Sequence, residues 1–166
     1  MLGDSLSAAY GLRVEQGWVA LLQKRLETQG YGYRVVNASV SGETSDGGLQ
    51  RLPRALQLHK PAIVILELGA NDALRGLPLN RTQANLQRMV TQSKRAGAQV
   101  VLLGMRIPPN YGPKYTAQFH NMYRDLAKAE NLRLVPFSLE QVALRDELMQ
   151  PDGLHPNGTA QPILLD

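Results

Sequence analysis

Cysteine is absent from the 166-residue sequence. That absence excludes disulfides, thiolate metal sites and a cysteine nucleophile together. It leaves the compartment open, because a cysteine-free domain of this size is stable in either redox environment. Long apolar runs are missing too. The longest, residues 62–66 (AIVIL), has five members, far short of the ~18–20 that a membrane span needs, so stable membrane insertion is not expected. Residues 1–20 show neither the charged start nor the apolar stretch of a secretory signal. Positive charge is in slight excess, 18 Lys and Arg against 14 Asp and Glu for a net +4, but it is scattered along the chain. A dedicated nucleic-acid surface needs a clustered basic face, and no nucleic-acid partner is expected.

An apolar share of 43% beside 19% charged residues argues against disorder. It predicts one domain, able to bury about two-thirds of the surface its unfolded chain exposes. Strand-like runs occupy residues 33–38 (YRVVNA), 62–68 (AIVILEL), 99–103 (QVVLL) and 132–136 (LRLVP). The second and third are continuous rather than alternating, as expected of parallel strands covered on both faces. Between them, Trp18, Leu22 and Leu26 keep helical spacing, as do Leu49, Leu52 and Leu56. Leu86, Met89 and Val90 repeat the pattern, and Phe119, Met122, Tyr123 and Leu126 repeat it more strongly. Asn80 with Gln83 reads as a capping pair for a helix running to Arg95. Gly30 and Gly97 read as helix stops, and Pro53 predicts a kink or restart. Strand alternating with helix predicts an α/β domain with a parallel sheet. Residues 107–113 (IPPNYGP) predict an irregular, functional loop. Met1 and Leu2 leave little room for a strand before Gly3, and residues 159–166 stop after about two helical turns, so both ends read as trimmed.

Ligands bind at the carboxyl ends of strands in doubly wound sheets, so chemistry is expected in the segments that follow each strand. These read Gly3-Asp4-Ser5-Leu6-Ser7, Ser41-Gly42-Glu43-Thr44, Gly69-Ala70-Asn71-Asp72, Gly104-Met105-Arg106-Ile107 and, near the end, Asp152-Gly153-Leu154-His155-Pro156. Acyl transfer needs a hydroxyl nucleophile, a base, a group that orients the base, and donors for the oxyanion. Ser5, His155, Asp152 and the pair Gly42 and Asn71 can supply these in that order. Gly153 and Pro156 favour the turn that lets Asp152 reach the His155 ring. Plainer readings stand beside each. Ser5 and Asp152 can be helix caps, Asn71 a turn residue, and His155 a solvated loop residue. His59 and His120 read as structural. Asp4, Ser7, Ser41 and Asp72 read as turn and capping residues, and Trp18 and the Phe119 stripe as core.

The Gly3-Asp4-Ser5-Leu6, Gly42, Gly69-Ala70-Asn71-Asp72 and Asp152-to-Pro156 blocks resemble, in order and spacing, those of the SGNH/GDSL hydrolases. Residues 36–39 (VNAS), 49–53 (LQRLP), 109–112 (PNYG) and 160–162 (AQP) are similar to the bacterial periplasmic esterase, acyl-CoA thioesterase I and lysophospholipase branch. The resemblance implies a single SGNH hydrolase domain over residues 1–166, with a flavodoxin-like three-layer α/β/α sandwich and a five-stranded parallel sheet. It implies a serine hydrolase of carboxylic esters and thioesters that works through an acyl-serine intermediate without metal or cofactor. A small-molecule ester or thioester as partner, a monomer, and a periplasmic or secreted location follow from the same source. Residue by residue, it makes Ser5 the nucleophile, His155 the general base and Asp152 its partner. The Ser5 and Gly42 amides and the Asn71 side chain become the oxyanion hole. Leu74, Arg75, Gly76, Leu77 and Pro78 become a substrate-binding loop, with Ile107, Pro108 and Tyr111 beside the acyl pocket. Ala70 stands where the branch more often has Gly, and Glu43 where Asp is common. Two alternatives remain at this point: a carbohydrate acetylesterase, disfavoured by the apolar Leu74, Leu77, Ile107 and Tyr111, and a noncatalytic flavodoxin-like binding module.

Overall fold

The computed structural model describes residues 1–136, 139 and 141–166. In chain order its elements are β1 (Leu2–Gly3), α1 (Trp18–Thr28), α2 (Ser45–His59), β2 (Ile63–Glu67), α3 (Ala70–Leu74), α4 (Leu79–Arg95), β3 (Gln99–Leu103), α5 (Pro113–Glu130), β4 (Arg133–Val135) and α6 (Gln161–Leu165). The four strands form one parallel sheet in the order β1-β2-β3-β4. Leu2 lies opposite Leu66, Leu66 opposite Leu102, and Leu102 opposite Leu134.

The continuous apolar runs are explained by cover on both faces. Side chains alternate across a strand. Val64, Leu66, Val100 and Leu102 therefore share one face, where they join Leu49, Leu52 and Leu56 of α2, Leu86, Met89 and Val90 of α4, and Phe119, Met122, Tyr123 and Leu126 of α5 in the main core. The alternate residues Ile65, Glu67, Val101 and Leu103 face the other way. With Trp18 and Leu22 of α1 and Leu164 and Leu165 of α6 they line a cavity of about 250 Å³. Trp18 is thus half-buried at the cavity wall rather than in the main core.

Several local expectations need correction. Among the described residues the sheet has four strands, not five, because residues 33–38 are not a strand. That segment does run beside β1: the Met1 amino group donates to Val36 at 2.8 Å, Ala38 N–H to Met1 at 2.9 Å and Val40 N–H to Gly3 at 3.0 Å. Those bonds do not continue along the segment toward residue 33, so no regular ladder forms. Helix α4 starts at Leu79 with Pro78 as its N-cap, and Asn80 and Gln83 form no capping box. The pyrrolidine ring already fixes the entry geometry that such a pair would otherwise set. Helix α2 runs without interruption through Pro53, its lost hydrogen bond offset by burial of Leu49, Leu52 and Leu56. The proline loop contains a single 3-10 turn, Pro109–Tyr111.

One backbone approach is close enough to test. The Gly104 amide donates to the Val135 carbonyl at 2.7 Å, and a Cβ at position 104 would lie 2.0 Å from the Pro136 carbonyl oxygen. Backbone cannot yield as a side chain does, so Gly104→Ala is expected to destabilise by about 3 kcal/mol. Gly32, with nothing within 4 Å, supplies the control. Gly32→Ala should change stability by less than about 0.5 kcal/mol in the same urea titration.

Candidate active site

Strand β1 ends in a tight turn that sets Ser5 at the carboxyl edge of the sheet. Ala8 N–H donates to the Asp4 carbonyl at 2.9 Å and Tyr10 N–H to the Ser5 carbonyl at 3.2 Å. The Asp4 carboxylate accepts the Leu6 N–H at 3.1 Å, closing the turn from inside. On the opposite side, a short antiparallel bridge between Met149 and Pro156 pins the segment that carries Asp152 and His155. Within it, Gln150 N–H donates to the His155 carbonyl at 2.7 Å, and Gly153 turns the chain at φ +65°.

Ser5, His155 and Asp152 meet across this gap. Ser5 Oγ lies 2.8 Å from His155 Nε2, and His155 Nδ1 lies 2.6 Å from Asp152 Oδ2. The second oxygen, Asp152 Oδ1, accepts the His155 N–H at 3.0 Å and the Leu154 N–H at 2.9 Å. These two amides, the His155 one foremost, hold the Asp152 carboxyl down to about 2. An ionised carboxylate can only accept, so Nδ1 carries the proton and Nε2 is left as the acceptor for the Ser5 hydroxyl. The Tyr10 ring lies over the imidazole with centroids 4.5 Å apart.

Donors stand close by. The Ser5 and Gly42 N–H groups meet no acceptor among the described residues, and Gly42 turns at φ +77°. Asn71, second residue of α3, donates its amide to the Glu43 carbonyl at 3.0 Å and to Asp4 Oδ2 at 3.2 Å. Its neighbour Asp72 is buried and ties three helices together. Asp72 accepts Ser45 N–H at 2.8 Å, Ser45 Oγ at 2.5 Å and Thr82 Oγ1 at 3.2 Å. Thus Asp4 and Asp72 do hold the edge loops, as read from the sequence. Asp4 is buried, which raises its carboxyl above the ordinary value.

Ser5, Gly42, Asn71 and His155 open onto a cavity of about 1200 Å³. Of the residues assigned to substrate binding by resemblance, Leu74, Ile107 and Pro108 line it. Arg75, Gly76, Leu77, Pro78 and Tyr111 do not line it, and three of them bond to residues nearby. Arg75 donates to the Gly42 carbonyl at 2.9 Å, Tyr111 Oη to the Leu74 carbonyl at 3.1 Å, and Leu77 accepts Tyr115 Oη at 3.1 Å. Leu6, Tyr10, Met105 and His120 line the cavity without having been singled out for it. His120, read as structural, does contact the Met105 carbonyl, at 3.4 Å, yet it also lines the cavity. Helical periodicity assigns a residue to a face but does not say what that face borders, so no sequence signal marked it. Among the described residues no group of three or more His, Asp and Glu side chains is arranged to hold a metal, and no helix is long and apolar enough to cross a membrane.

A serine hydroxyl on a histidine that is itself held by a carboxylate, with unspent amide donors alongside, defines a serine hydrolase. The chain belongs to the GDSL-like Lipase/Acylhydrolase family, whose profile matches residues 1–161. It is 54% identical over all 166 residues to the Esterase TesA of Pseudomonas aeruginosa, spanning 83% of that protein. It is 43% identical over the same length to the Thioesterase 1/protease 1/lysophospholipase L1 of Escherichia coli K12, spanning 78% of it. The fold superposes with a TM-score of 0.96 on the psychrotrophic esterase EstA from Pseudoalteromonas sp., in a crystal structure inhibited by monoethylphosphonate. That match is 45% identical and covers 99% of this chain and 90% of the other.

The Asp152 environment gives a signed pH expectation. A carboxyl depressed from 3.8 to about 2 favours the folded chain at pH above 3.8 and loses that contribution as pH falls through about 2. The difference in melting temperature between the protein and Asp152→Asn should therefore stay constant down to about pH 4 and shrink toward pH 2. A difference that already shrinks near pH 6 contradicts the assignment.

Proposed function

We propose that the protein is an esterase and thioesterase in which Ser5 is the nucleophile, His155 the general base and acid, and Asp152 the group that orients and stabilises His155. The observation that carries this reading is the continuous Ser5–His155–Asp152 relay, at 2.8 and 2.6 Å. His155 Nε2 takes the Ser5 proton as Oγ attacks the carbonyl carbon. The tetrahedral oxyanion is received by the Ser5 and Gly42 N–H groups and by Asn71. Both Asn71 amide hydrogens are engaged in the free protein. The longer contact, to Asp4 at 3.2 Å, is the one that turns to the oxyanion, while the Glu43 contact holds the amide in place. Collapse breaks the C–O or C–S bond, and the leaving alkoxide or thiolate takes the proton from His155. Water then attacks acyl-Ser5 with His155 again as base, releasing the carboxylic acid and restoring the Ser5 hydroxyl.

The substrate class is carboxylic esters and thioesters with an aryl or acyl group, including acyl-CoA and lysophospholipid. Leu6, Leu74, Ile107, Pro108 and Leu154 on the cavity wall support an apolar acyl or aryl group, and the names of the relatives support both ester and thioester chemistry. Leu74 and the loop behind it, Arg75 to Pro78, form the substrate-binding wall, with Tyr111 bracing it and Ile107 and Pro108 opposite. Residues 1–166 act as one SGNH hydrolase domain with a flavodoxin-like fold. The domain works as a monomer in the periplasm or outside the cell, and needs neither metal nor cofactor.

Ser5→Ala is expected to melt as the parent does and to lose turnover of p-nitrophenyl esters and labelling by a fluorophosphonate. Retained turnover would sink the reading. Asn71→Ala should lower kcat by about 10²–10³; a loss of only a few-fold would reduce Asn71 to a turn residue.

A further inference from the structure

Beneath Ser5 lies a carboxyl group that the acyl-transfer steps leave unused. Glu67, the last residue of β2 and the register partner of Gly3, is 1% exposed. Its Oε2 accepts the Asp4 N–H at 3.2 Å and the Ser7 hydroxyl at 2.7 Å, so it grips the turn on both sides of Ser5. Its Oε1 is buried and accepts no donor among the described residues, while the Glu67 and Asp4 carboxyl groups share a side-chain hydrogen bond. The approach depends on glycine at position 3, since a Cβ there would lie 2.5 Å from Oε2. Asp4 passes the connection on: its carboxylate accepts the Leu6 N–H and the Asn71 amide. One buried side chain therefore supports the backbone that aims Ser5 and, through Asp4, the amide that faces the oxyanion.

We propose that Glu67 is a positioning residue for Ser5 and Asn71. By receiving the Asp4 and Ser7 donors it fixes the direction of Ser5 Oγ and of the Ser5 N–H relative to the scissile carbonyl. It touches no substrate and exchanges no proton with it. Burial, and next to it the Asp4 charge, pushes the Glu67 carboxyl well above its usual range, and burial raises its neighbour Asp4 as well, so the pair resists carrying two negative charges. The other titratable groups around the pair are His155 across the turn, Tyr123 of α5 with Asp72 beyond it, and Asp166 at the far end of the apolar cavity. Tyr123 donates to the Leu68 carbonyl at 2.8 Å, and burial pushes its hydroxyl well above the ordinary value. A carboxyl that resists ionisation can anchor the turn with less negative charge behind the oxyanion hole.

This proposal rests on Ser5 being the nucleophile, and the two fail differently. If fluorophosphonate does not label Ser5 in the parent protein, the nucleophile assignment falls. If the parent labels and the Glu67 variants label as fast, only the present proposal falls. Glu67→Gln retains a neutral acceptor oxygen and is expected to keep kcat for a p-nitrophenyl ester within about threefold. Glu67→Leu leaves the Asp4 and Ser7 donors unpaired and should lower kcat and the labelling rate by about 10² with KM nearly unchanged, because a small misplacement of the reacting groups has an effect of that size. Two results overturn the proposal: Glu67→Leu with kcat and labelling preserved, or Glu67→Gln as impaired as Glu67→Leu. Should Glu67→Leu not fold, Ser7→Ala decides. It should melt near the parent and lose about tenfold in kcat, and an unchanged kcat overturns the proposal.

Discussion

Buried polar groups must find hydrogen-bond partners, and at the carboxyl edge of this sheet that demand holds the site together. Asp72 gathers Ser45 from α2 and Thr82 from α4, while Asn85 bonds the same Ser45 hydroxyl at 3.0 Å. Arg51 reaches the Glu43 carboxylate at 2.6 Å and the Ala38 carbonyl at 3.1 Å. Asp4 links the Ser5 turn to Asn71. Each of these loops is fixed because releasing it would strand a charge or an amide away from water, a penalty of about 1–3 kcal/mol or more per group. The same bonds place Ser5, Gly42 and Asn71 on one side of a cleft whose other side is the bridge-pinned Asp152–His155 segment.

Carboxyl groups around the site are driven in opposite directions by their surroundings. Asp152 lies at the surface with two backbone amides and the imidazole on it, and its carboxyl is held at about 2. Glu67 lies wholly inside with Asp4 for a neighbour, and its carboxyl is pushed well up. The contrast is one of hydrogen bonding against desolvation. The depressed carboxyl sits against the His155 imidazole, and the raised one under the turn that carries Ser5, where it accepts the Asp4 and Ser7 donors.

The sheet also divides its two faces by task. The face under α2, α4 and α5 is packed with Leu, Met, Val and aromatic side chains and carries most of the apolar burial. The face under α1 and α6 holds the smaller cavity and Glu67. Because Glu67 takes the last odd-numbered position of β2, the alternation that sends Leu66 into the main core sends Glu67 to the opposite face. There it meets the turn after β1 from below.

Much of this was legible in the amino-acid order. The apolar runs of β2 and β3, the helical stripes at Leu86 and at Phe119, and the small-plus-polar segments after each strand are local patterns that depend on neighbours a few residues away. They determined an α/β chain with a parallel sheet and named Ser5, Asn71, Asp152 and His155 as one possible constellation. What they left undecided was everything set by distant contacts. Residues 33–38 read as a strand, yet a strand is defined by its partner, and the backbone bonds to β1 stop short of a regular ladder. Periodicity placed His120 on a helix without saying that the helix borders the cavity. The run at 62–68 showed Glu67 as an acid inside an apolar strand, but its role depends on Gly3 and Ser7, some sixty residues away in sequence. Only the folded chain brings Ser5 within hydrogen-bonding reach of His155, 150 residues away in sequence, because hydrogen bonds between loops, unlike the hydrophobic patterns along a strand or helix, leave no period in the sequence.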